Sequence, residues 1–267
     1  MMRIALGLEY DGAPFHGWQS QADGNTVQDA LERALAEVAG EAVRVVCAGR
    51  TDAGVHALAQ VVHFDTEAQR PISAWVRGTN AHLPDAVAVR WAVPVDAEFH
   101  ARFAAHSRSY RYLLYNHPVR PAVNHGKVGW FHRELDVERM NRACAQLIGE
   151  HDFSAFRAAQ CQAKSPIKTL HRAGVERRGD LLLFEFCADA FLHHMVRNLV
   201  GALVAVGKGG QSPEWIAELL AGRDRRRAAP TFSPAGLYLT GVEYESRWCL
   251  PGADRIIAAS SLPVSDR

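Results

Sequence analysis

A short segment bounded by glycines carries the side chains best suited to chemistry. Residues 48–56 read Ala-Gly-Arg-Thr-Asp-Ala-Gly-Val-His. Two glycines separated by four residues after an apolar strand suggest a phosphate-binding loop, but Val-His stands where such a loop needs Lys and then Ser or Thr. The pattern instead indicates a tight turn between two strands that presents Arg50, Thr51 and Asp52 outward. A plain Asx turn, in which Asp52 bonds only its own backbone, accounts for the same pattern.

Basic residues are concentrated in three stretches, although the formal net charge is only +1. Residues 99–133 contain six Arg or Lys and five His without a single Asp or Glu. Residues 153–175 repeat this pattern, and a third group lies at 223–227. Each stretch alone is compatible with a solvated surface, but three together favour a nucleic-acid partner. The basic residues of the three stretches are Arg102, Arg108, Arg111, Arg120, Lys127, Arg133, Arg157, Lys164, Lys168, Arg172, Arg223, Arg225, Arg226 and Arg227.

The elements that must position the 48–56 segment form a β-α-β-β-α-β order in the first half of the chain. Thr26 followed by Asp29 is typical of a helix-capping box, and Gly40 is predicted to end that helix. The segment itself joins the second and third strands. Hydrophobic periodicity predicts strands at 3–10, 43–48, 59–65 and 86–93 and a second helix at 72–81.

The second half repeats this order and completes the predicted fold. Its predicted elements are a strand at 109–115, a helix at 137–148, strands at 168–177 and 181–187, helices at 191–206 and 214–220, and a strand at 237–244. The sequence therefore predicts an α+β fold with two ferredoxin-like or RRM-like domains, whose mainly antiparallel sheets form a central cleft. We expect one domain at 1–105 carrying the Asp52 loop, a second at 106–248 completing the cleft, and a loosely ordered tail at 249–267.

Further motifs accompany the 48–56 segment along most of the chain. They are Glu9-Tyr10-Asp11-Gly12, Gly17-Trp18-Gln19, Asn80–Pro84, Phe99–Phe103, Tyr110-Arg111-Tyr112, Asp152–Phe156, His193–Asn198 and Gly236–Leu239. Together with that segment they resemble the tRNA pseudouridine synthase A family, called TruA, over roughly residues 3 to 248. The resemblance implies conversion of uridine to its C-glycoside isomer in the anticodon stem-loop, at tRNA positions thirty-eight to forty, without metal or cofactor.

The resemblance also implies three catalytic residues. Asp52 matches the catalytic aspartate, whose carboxylate must be ionised to attack the base or the sugar, or to stabilise a cationic sugar. A nearby cation would keep a buried carboxylate ionised, and Arg197 matches the residue with that role. Tyr110 matches the active-site tyrosine, whose ring can stack on uracil and whose hydroxyl can assist proton movement. A solvated surface position for Arg197 and a plain strand position for Tyr110 are the alternatives.

Substrate binding is predicted for residues around these three. Arg50 is the candidate to fill the space left by a flipped base or to hold its phosphate, and a phosphate contact without a role in flipping is the alternative. Leu237 and Tyr238 are predicted to line the uracil pocket. Plain core positions on a strand account for these two residues nearly as well. Three more residues complete the predicted set: Thr51, Arg102 and Arg111.

Two other functions are compatible with parts of the sequence. Paired β-α-β-β-α-β units resemble RNA-recognition folds, so a non-catalytic RNA-binding module is one alternative, although the aromatic strand motif of such modules is absent. A glycosidic-bond hydrolase is the other, but such enzymes normally pair two carboxyl groups, and Asp11 has an ordinary turn explanation. A metal site is not expected from His56 and His193-His194, because adjacent helical residues point in different directions.

The remaining features bear on location and partners. Five widely spaced cysteines show no Cys-x-x-Cys pair and are interpreted as reduced thiols. No apolar run approaches the roughly 20 residues of a membrane span, and no signal peptide begins the chain, so a cytoplasmic location is expected. Members of the family that the motifs resemble act as homodimers on tRNA, which implies both partners for this chain.

Overall fold

The computed structural model describes residues 1–251 as a mixed α+β protein. It contains two compact units, the first formed by Met1–Arg108 with residues 238–251 and the second by Ser109–Leu237. Most of the predicted tail, 249–267, lies outside the described residues. No helix in the described part of the chain is both long and apolar enough to cross a membrane.

The described residues form ten strands and five α-helices. The strands are β1 Met2–Tyr10, β2 Val46–Cys47, β3 His56–Thr66, β4 Val87–Val95, β5 Ala105–Asn116, β6 Gly129–Phe131, β7 Gly149–Asp152, β8 Ile167–Arg178, β9 Leu181–Ala188 and β10 Leu237–Tyr244. The helices are α1 Val27–Ala39, α2 Ile72–His82, α3 Val137–Ala145, α4 Met195–Gly207 and α5 Trp215–Gly222. Short 3₁₀ turns lie at Ser154–Phe156, Arg225–Arg227, Pro234–Gly236 and Ser246–Trp248.

The first unit has the strand order β4-β1-β3-β10, with β2 also paired to β3. Strand β1 pairs antiparallel with both β3 and β4. The other edge of β3 is shared, because β2 pairs with residues 62–63 and β10 runs parallel beside residues 56–57. Strand β10, the last strand among the described residues, therefore lies next to the point where the 48–56 segment enters β3.

Helix α1 forms where local signals predict it. The Thr26 hydroxyl accepts the Asp29 backbone N–H at 3.2 Å, and Gly40 ends the helix at φ +76°. Both predicted helix ends are therefore confirmed, and the buried face includes Leu31 and Leu35, both 0% exposed.

The second unit has the strand order β5-β9-β8-β7, and β6 runs parallel to β5. Strands β7, β8 and β9 pair antiparallel with their neighbours. Helix α4 is buried along most of its length, which is expected of a helix that is apolar on nearly all sides. Mainly antiparallel pairing in both units agrees with the predicted α+β class.

Helix α4 begins four residues later than predicted. The sequence pattern placed its start at residue 191, but His194 has φ +61° and ψ 2°, a left-handed conformation that an α-helix cannot contain. Ala190 and His193 therefore lie before α4 and do not share a helical face with Arg197. Helix α3 likewise ends at Ala145 rather than at residue 148.

Several strands differ from the prediction. Strand β2 is only two residues long instead of 43–48, and β5 begins at Ala105 instead of 109, so it runs across the predicted boundary between residues 105 and 106. The first unit also includes residues 238–251, so it is not one contiguous segment such as 1–105. Pairing with β3, which lies far away in the sequence, holds β10 in that unit.

Candidate active site

The loop that carries Asp52 is a turn between β2 and β3. The Val55 N–H donates to the Asp52 carbonyl at 3.1 Å, which closes a four-residue turn. Gly54 occupies the third position of this turn at φ +76°, where a positive φ favours glycine. The Asp52 side chain is half-buried and that of Arg50 is exposed, so both remain reachable from outside the first unit's core.

The start of the loop is fixed by buried polar side chains of the same unit. The Arg108 guanidinium, 8% exposed, donates to the Ala48 carbonyl at 3.0 Å. Gln60, 0% exposed, donates its amide to the Gly49 carbonyl at 2.6 Å. The same Arg108 nitrogen also donates to the Arg102 carbonyl at 2.6 Å, which ties the 99–103 motif to the loop.

The middle of the loop is fixed at Thr51. Its carbonyl accepts the Trp18 N–H at 3.0 Å, and its hydroxyl lies 2.8 Å from the Tyr10 hydroxyl. Thr51 is only 7% exposed. The prediction that the turn presents Thr51 outward with Arg50 and Asp52 is therefore wrong, because Tyr10 supplies a buried partner for the threonine hydroxyl.

The glycines of the early motifs allow this close packing. A Cβ added to Gly17, which has φ +97°, would lie 3.0 Å from the Thr51 carbonyl oxygen and 3.1 Å from the Ala53 nitrogen. A Cβ added to Gly12 would lie 1.9 Å from the Val55 carbonyl oxygen. The motifs at 9–12 and 17–19 therefore pack against the backbone of the Asp52 loop. Their sequence alone did not reveal this role.

Tyr238 lies beside the end of the loop. Its ring stacks on His56, with centroids 4.6 Å apart and an interplanar angle of 21°. Burial and the nearby Asp11 carboxylate raise the pKa of Tyr238, so its hydroxyl stays protonated. The His56 Nδ1 lies 2.9 Å from an Asp11 carboxylate oxygen and 3.1 Å from the Gly12 nitrogen. One ring nitrogen cannot donate to Asp11 and accept from Gly12 at once, so whether Nδ1 carries a proton determines which of the two bonds forms.

The second unit carries the other predicted site residues. Tyr110 on β5 is 8% exposed and meets Phe191 edge-to-face, with centroids 5.1 Å apart. Leu237 is 4% exposed. Arg111 is paired with Glu185, whose carboxylate lies 2.5 Å from a terminal guanidinium nitrogen. Arg111 thus already has an internal anionic partner that a tRNA phosphate would have to compete with.

Arg197 is held in a defined orientation near the start of α4. Its Nε donates to the Phe232 carbonyl at 2.9 Å, and its own carbonyl accepts the Phe232 N–H at 3.2 Å. A Cβ added to Gly201, one turn further along, would lie 2.3 Å from the Pro230 carbonyl oxygen. Gly201 therefore lets this face of α4 approach the 229–232 segment closely.

A buried amide reinforces this arrangement. Asn198, 0% exposed, donates to the Phe156 carbonyl at 2.7 Å and accepts from the Thr231 hydroxyl at 2.7 Å. Its oxygen also accepts from Arg225 at 3.1 Å. Sequence reasoning missed this role of Asn198, although an amide within an apolar helical run was the available signal.

The three basic stretches are less uniform than the sequence suggests. The guanidinium groups of Arg108 and Arg225 donate hydrogen bonds to backbone carbonyls within their own units. In the third group, Arg223 lies 3.3 Å from Asp152, and Arg226 pairs with Asp224 at 2.9 Å. Part of the basic charge is therefore balanced locally by carboxylates.

Comparisons with known proteins give one consistent result. A family model described as tRNA pseudouridine synthase matches residues 8–104 and 143–245. A tRNA pseudouridine synthase A of Thiobacillus denitrificans is 66% identical over 251 residues, which is 94% of this chain and 96% of that protein. Proteins of the same name from Dechloromonas aromatica and Methylobacillus flagellatus are each 64% identical, over 94% and 95% of this chain and 95% and 97% of their own lengths.

Likeness to solved structures is weak by comparison. A chain of a Cbf5-Nop10-Gar1 complex aligns with 88% of this chain and 48% of its own length, at 12% identity and a TM-score of 0.41. A similarity at this level bears on neither fold nor activity.

Proposed function

This chain belongs to the tRNA pseudouridine synthase family, and we propose that it isomerises uridine to pseudouridine in the anticodon stem-loop of tRNA, at positions thirty-eight to forty, with Asp52 as the nucleophile. Its relatives are named for an isomerase that acts on tRNA. The proposed chemistry uses no metal or cofactor.

The observation that carries the proposal is the fixed geometry of the Asp52 loop. Four backbone carbonyls, those of Ala48, Gly49, Thr51 and Asp52, each accept a hydrogen bond from within the first unit. Because the backbone is held on both sides of Asp52, the Cα that carries its side chain is held in place before substrate arrives. Preorganisation of this kind lowers the barrier, since little reorganisation is needed at the moment of reaction.

Each reactive residue has a proposed part in the reaction. The Asp52 carboxylate attacks the base or the sugar of the flipped uridine, and the glycosidic bond between N1 and C1′ breaks. The uracil turns over, C5 bonds to C1′, the bond to Asp52 is released, and C5 loses a proton while N1 gains one. Tyr110 stacks on the uracil and assists proton movement. Arg197 keeps Asp52 ionised. We propose, with the predicted α+β fold, that these three residues line one central cleft.

RNA binding is proposed for the exposed cations near the loop and for the pocket walls. Arg50 enters the space left by the flipped base, and Arg102 contacts phosphate. Leu237 and Tyr238 line the uracil pocket, whereas Thr51 contributes by holding the loop. We further propose that the enzyme acts in the cytoplasm as a homodimer, in which basic segments of two subunits meet one tRNA.

The test compares Asp52→Asn with the wild type on an unmodified tRNA transcript under single-turnover conditions. The variant is expected to lose roughly 10³-fold or more in the rate of pseudouridine formation while its affinity for tRNA is retained, because only the ionised nucleophile is removed. Asp85→Asn is the matched control, since Asp85 is exposed in the same unit and is expected to leave the rate unchanged.

The same assay separates the alternatives. A wild type that binds tRNA without forming pseudouridine would support a non-catalytic binding module. Release of free uracil would instead support a glycosidic-bond hydrolase. Full activity of Asp52→Asn would reject Asp52 as the nucleophile.

A further inference from the structure

A continuous series of aromatic rings in the first unit runs from its core to its surface. Phe99, 0% exposed, packs against Trp248 with ring centroids 5.3 Å apart. His63 and Phe99 pack edge-to-face with ring centroids 6.0 Å apart. The centroid of the His100 ring lies 4.8 Å from that of His63. Phe103 stacks on His100 at 4.3 Å with an interplanar angle of 29°. The outermost ring is therefore supported by four others.

Both histidines in the series are held by backbone groups. The His63 Nδ1 accepts the Ala101 N–H at 3.1 Å, and the His100 Nδ1 accepts the N–H groups of Arg102 and Phe103 at 3.2 Å each. An Nδ1 that accepts carries no proton, so each ring has its proton on Nε2 when neutral. These bonds fix the His100 ring relative to the backbone that carries Phe103.

The electrostatic surroundings keep both imidazoles neutral. Burial and the charge of Arg3 lower the pKa of His63 to about 4 and also lower the pKa of His100. A neutral ring can stay stacked beneath Phe103 at physiological pH without bringing a further cation into the series.

Phe103 itself is 75% exposed, which is unusual for a phenylalanine whose ring is so firmly supported. His100 covers one side of the ring, and the Arg102 guanidinium carbon lies 5.6 Å from the ring centroid. The ring belongs to the 99–133 stretch, which contains no carboxylate. It is a rigid apolar surface in a setting that attracts anions.

We propose that Phe103, supported by His100 and flanked by Arg102, is a stacking platform for an unpaired nucleobase of the tRNA. The proposal deepens the proposed function and rests on tRNA being the substrate. The Arg102 guanidinium lies over the ring, but Phe103 is 75% exposed, so a base can stack on the uncovered part of the ring beside Arg102. Any base can do so, because each has a π face. Arg102 is placed to contact the phosphate that accompanies such a base.

A nucleobase fits this surface better than a protein partner. Stable protein interfaces bury about 800 Å² on each side, far more than one ring can contribute. The exposed cation beside the ring also matches the phosphate that accompanies every nucleotide.

The test measures equilibrium affinity for an unmodified tRNA transcript and the single-turnover rate at saturating tRNA. Phe103→Ala is expected to bind about 5- to 150-fold more weakly, the range expected when one stacked base loses its aromatic partner. Its rate at saturation should stay within about threefold of the wild type, because Phe103 takes no part in the chemical step. Phe103→Tyr keeps a ring and should bind like the wild type.

The salt dependence separates stacking from charge. Phe103→Ala should leave the slope of log affinity against log salt unchanged, since no phosphate contact is lost, whereas Arg102→Gln should make it shallower by about 0.7 to 0.9. Ile148→Ala, which trims another exposed apolar side chain in the second unit, is the control and should bind normally.

Three outcomes would overturn the platform. Wild-type affinity in Phe103→Ala rejects it, and so does a Phe103→Tyr variant that binds as weakly as Phe103→Ala. A changed oligomeric state of Phe103→Ala in sedimentation, with tRNA affinity intact, identifies a protein contact instead. Because the wild type is tested for pseudouridine formation alongside, failure of the catalytic proposal is distinguished from failure of the platform.

Discussion

At the scale of single residues, the Asp52 loop depends on groups that perform no chemistry. Tyr10 and Trp18 bond the loop from a distant part of the sequence, and Gln60 bonds it from the strand that follows it. Gly17 lies against its backbone and has a positive φ that L-residues rarely adopt. A side chain at residue 17 would contact the loop backbone directly. A substitution of Gly17 can therefore displace Asp52 while the aspartate itself is unchanged.

We expect Gly17→Ala to lower turnover at saturating tRNA by about tenfold or more, because a displacement of about 1 Å at a reactive group can cost about 10²-fold. The conformation at Gly17 should also cost about 1 to 2 kcal/mol of stability. Measurement requires thermal unfolding together with single-turnover rates.

Gly179→Ala supplies the matched control for this variant. Gly179 also has a positive φ, +55°, but a Cβ there would meet nothing within 4 Å. It should lose comparable stability while keeping its turnover. Equal turnover in the two variants would show that the loop does not transmit the displacement.

The residue pattern predicted part of this site. Arg50 and Asp52 could be located from the glycine-bounded turn and the family resemblance. The buried setting of Thr51 could not, because its partner Tyr10 lies 41 residues away in the sequence. Local patterns carry no information about such a pairing.

At the scale of elements, the junction between α4 and the 229–232 segment sets the orientation of Arg197. The helix residue Gly201 lies beside the Pro230 carbonyl, and Phe232 is bonded by both the side chain and the backbone of Arg197. Separation of the two elements would therefore move the guanidinium as well.

Gly201→Ala is expected to reduce stability by about 1 to 3 kcal/mol, since an added methyl group meets a backbone oxygen that has no flexible side chain to yield. We also expect a lower single-turnover rate, because Arg197 is displaced. Chemical denaturation and the pseudouridine assay measure the two effects.

Gly222→Ala in α5 is the comparison for this substitution. The nearest atom to its added Cβ is the far end of the Arg227 side chain at 3.3 Å, which can move. This variant should be neutral or gain up to about 1 kcal/mol from alanine's higher helix propensity. Loss of stability in both variants alike would argue against a specific contact at Pro230.

Elements with strong local signals were predictable, and those without them were not. Helix α1 has a cap, an apolar stripe and a terminating glycine, and its ends match the prediction. The left-handed His194 that delays α4 has no sequence signature. Strands β6 and β7 were missed because each is at most four residues long and depends on pairing with another strand.

At the scale of the whole molecule, the number of basic residues exceeds the number that are exposed and available to bind RNA. The chain has 30 Lys and Arg against 29 Asp and Glu. Arg108 is buried and Arg111 is paired with Glu185, so neither is an exposed cation ready for RNA. Affinity for tRNA therefore depends on fewer cations than the basic stretches suggest.

We expect log affinity for tRNA to fall linearly with log salt, with a slope of about −0.7 to −0.9 for each phosphate neutralised. Arg120→Gln removes an exposed cation and should reduce the slope by up to one such increment. Titrations between about 50 and 200 mM salt measure it. A flat response of the wild type would contradict binding through phosphates.

The return of β10 to the first unit has a consequence for synthesis on the ribosome. Residues 56–57 of β3 receive their parallel neighbour only when residues 238–239 have left the exit tunnel. At about 5 to 20 residues per second, the nascent chain spends many seconds with that edge of β3 open after β3 itself has emerged. The described part of the second unit, Ser109–Leu237, is translated within this interval, so the first unit, which begins earlier, still lacks β10 when Leu237 is made.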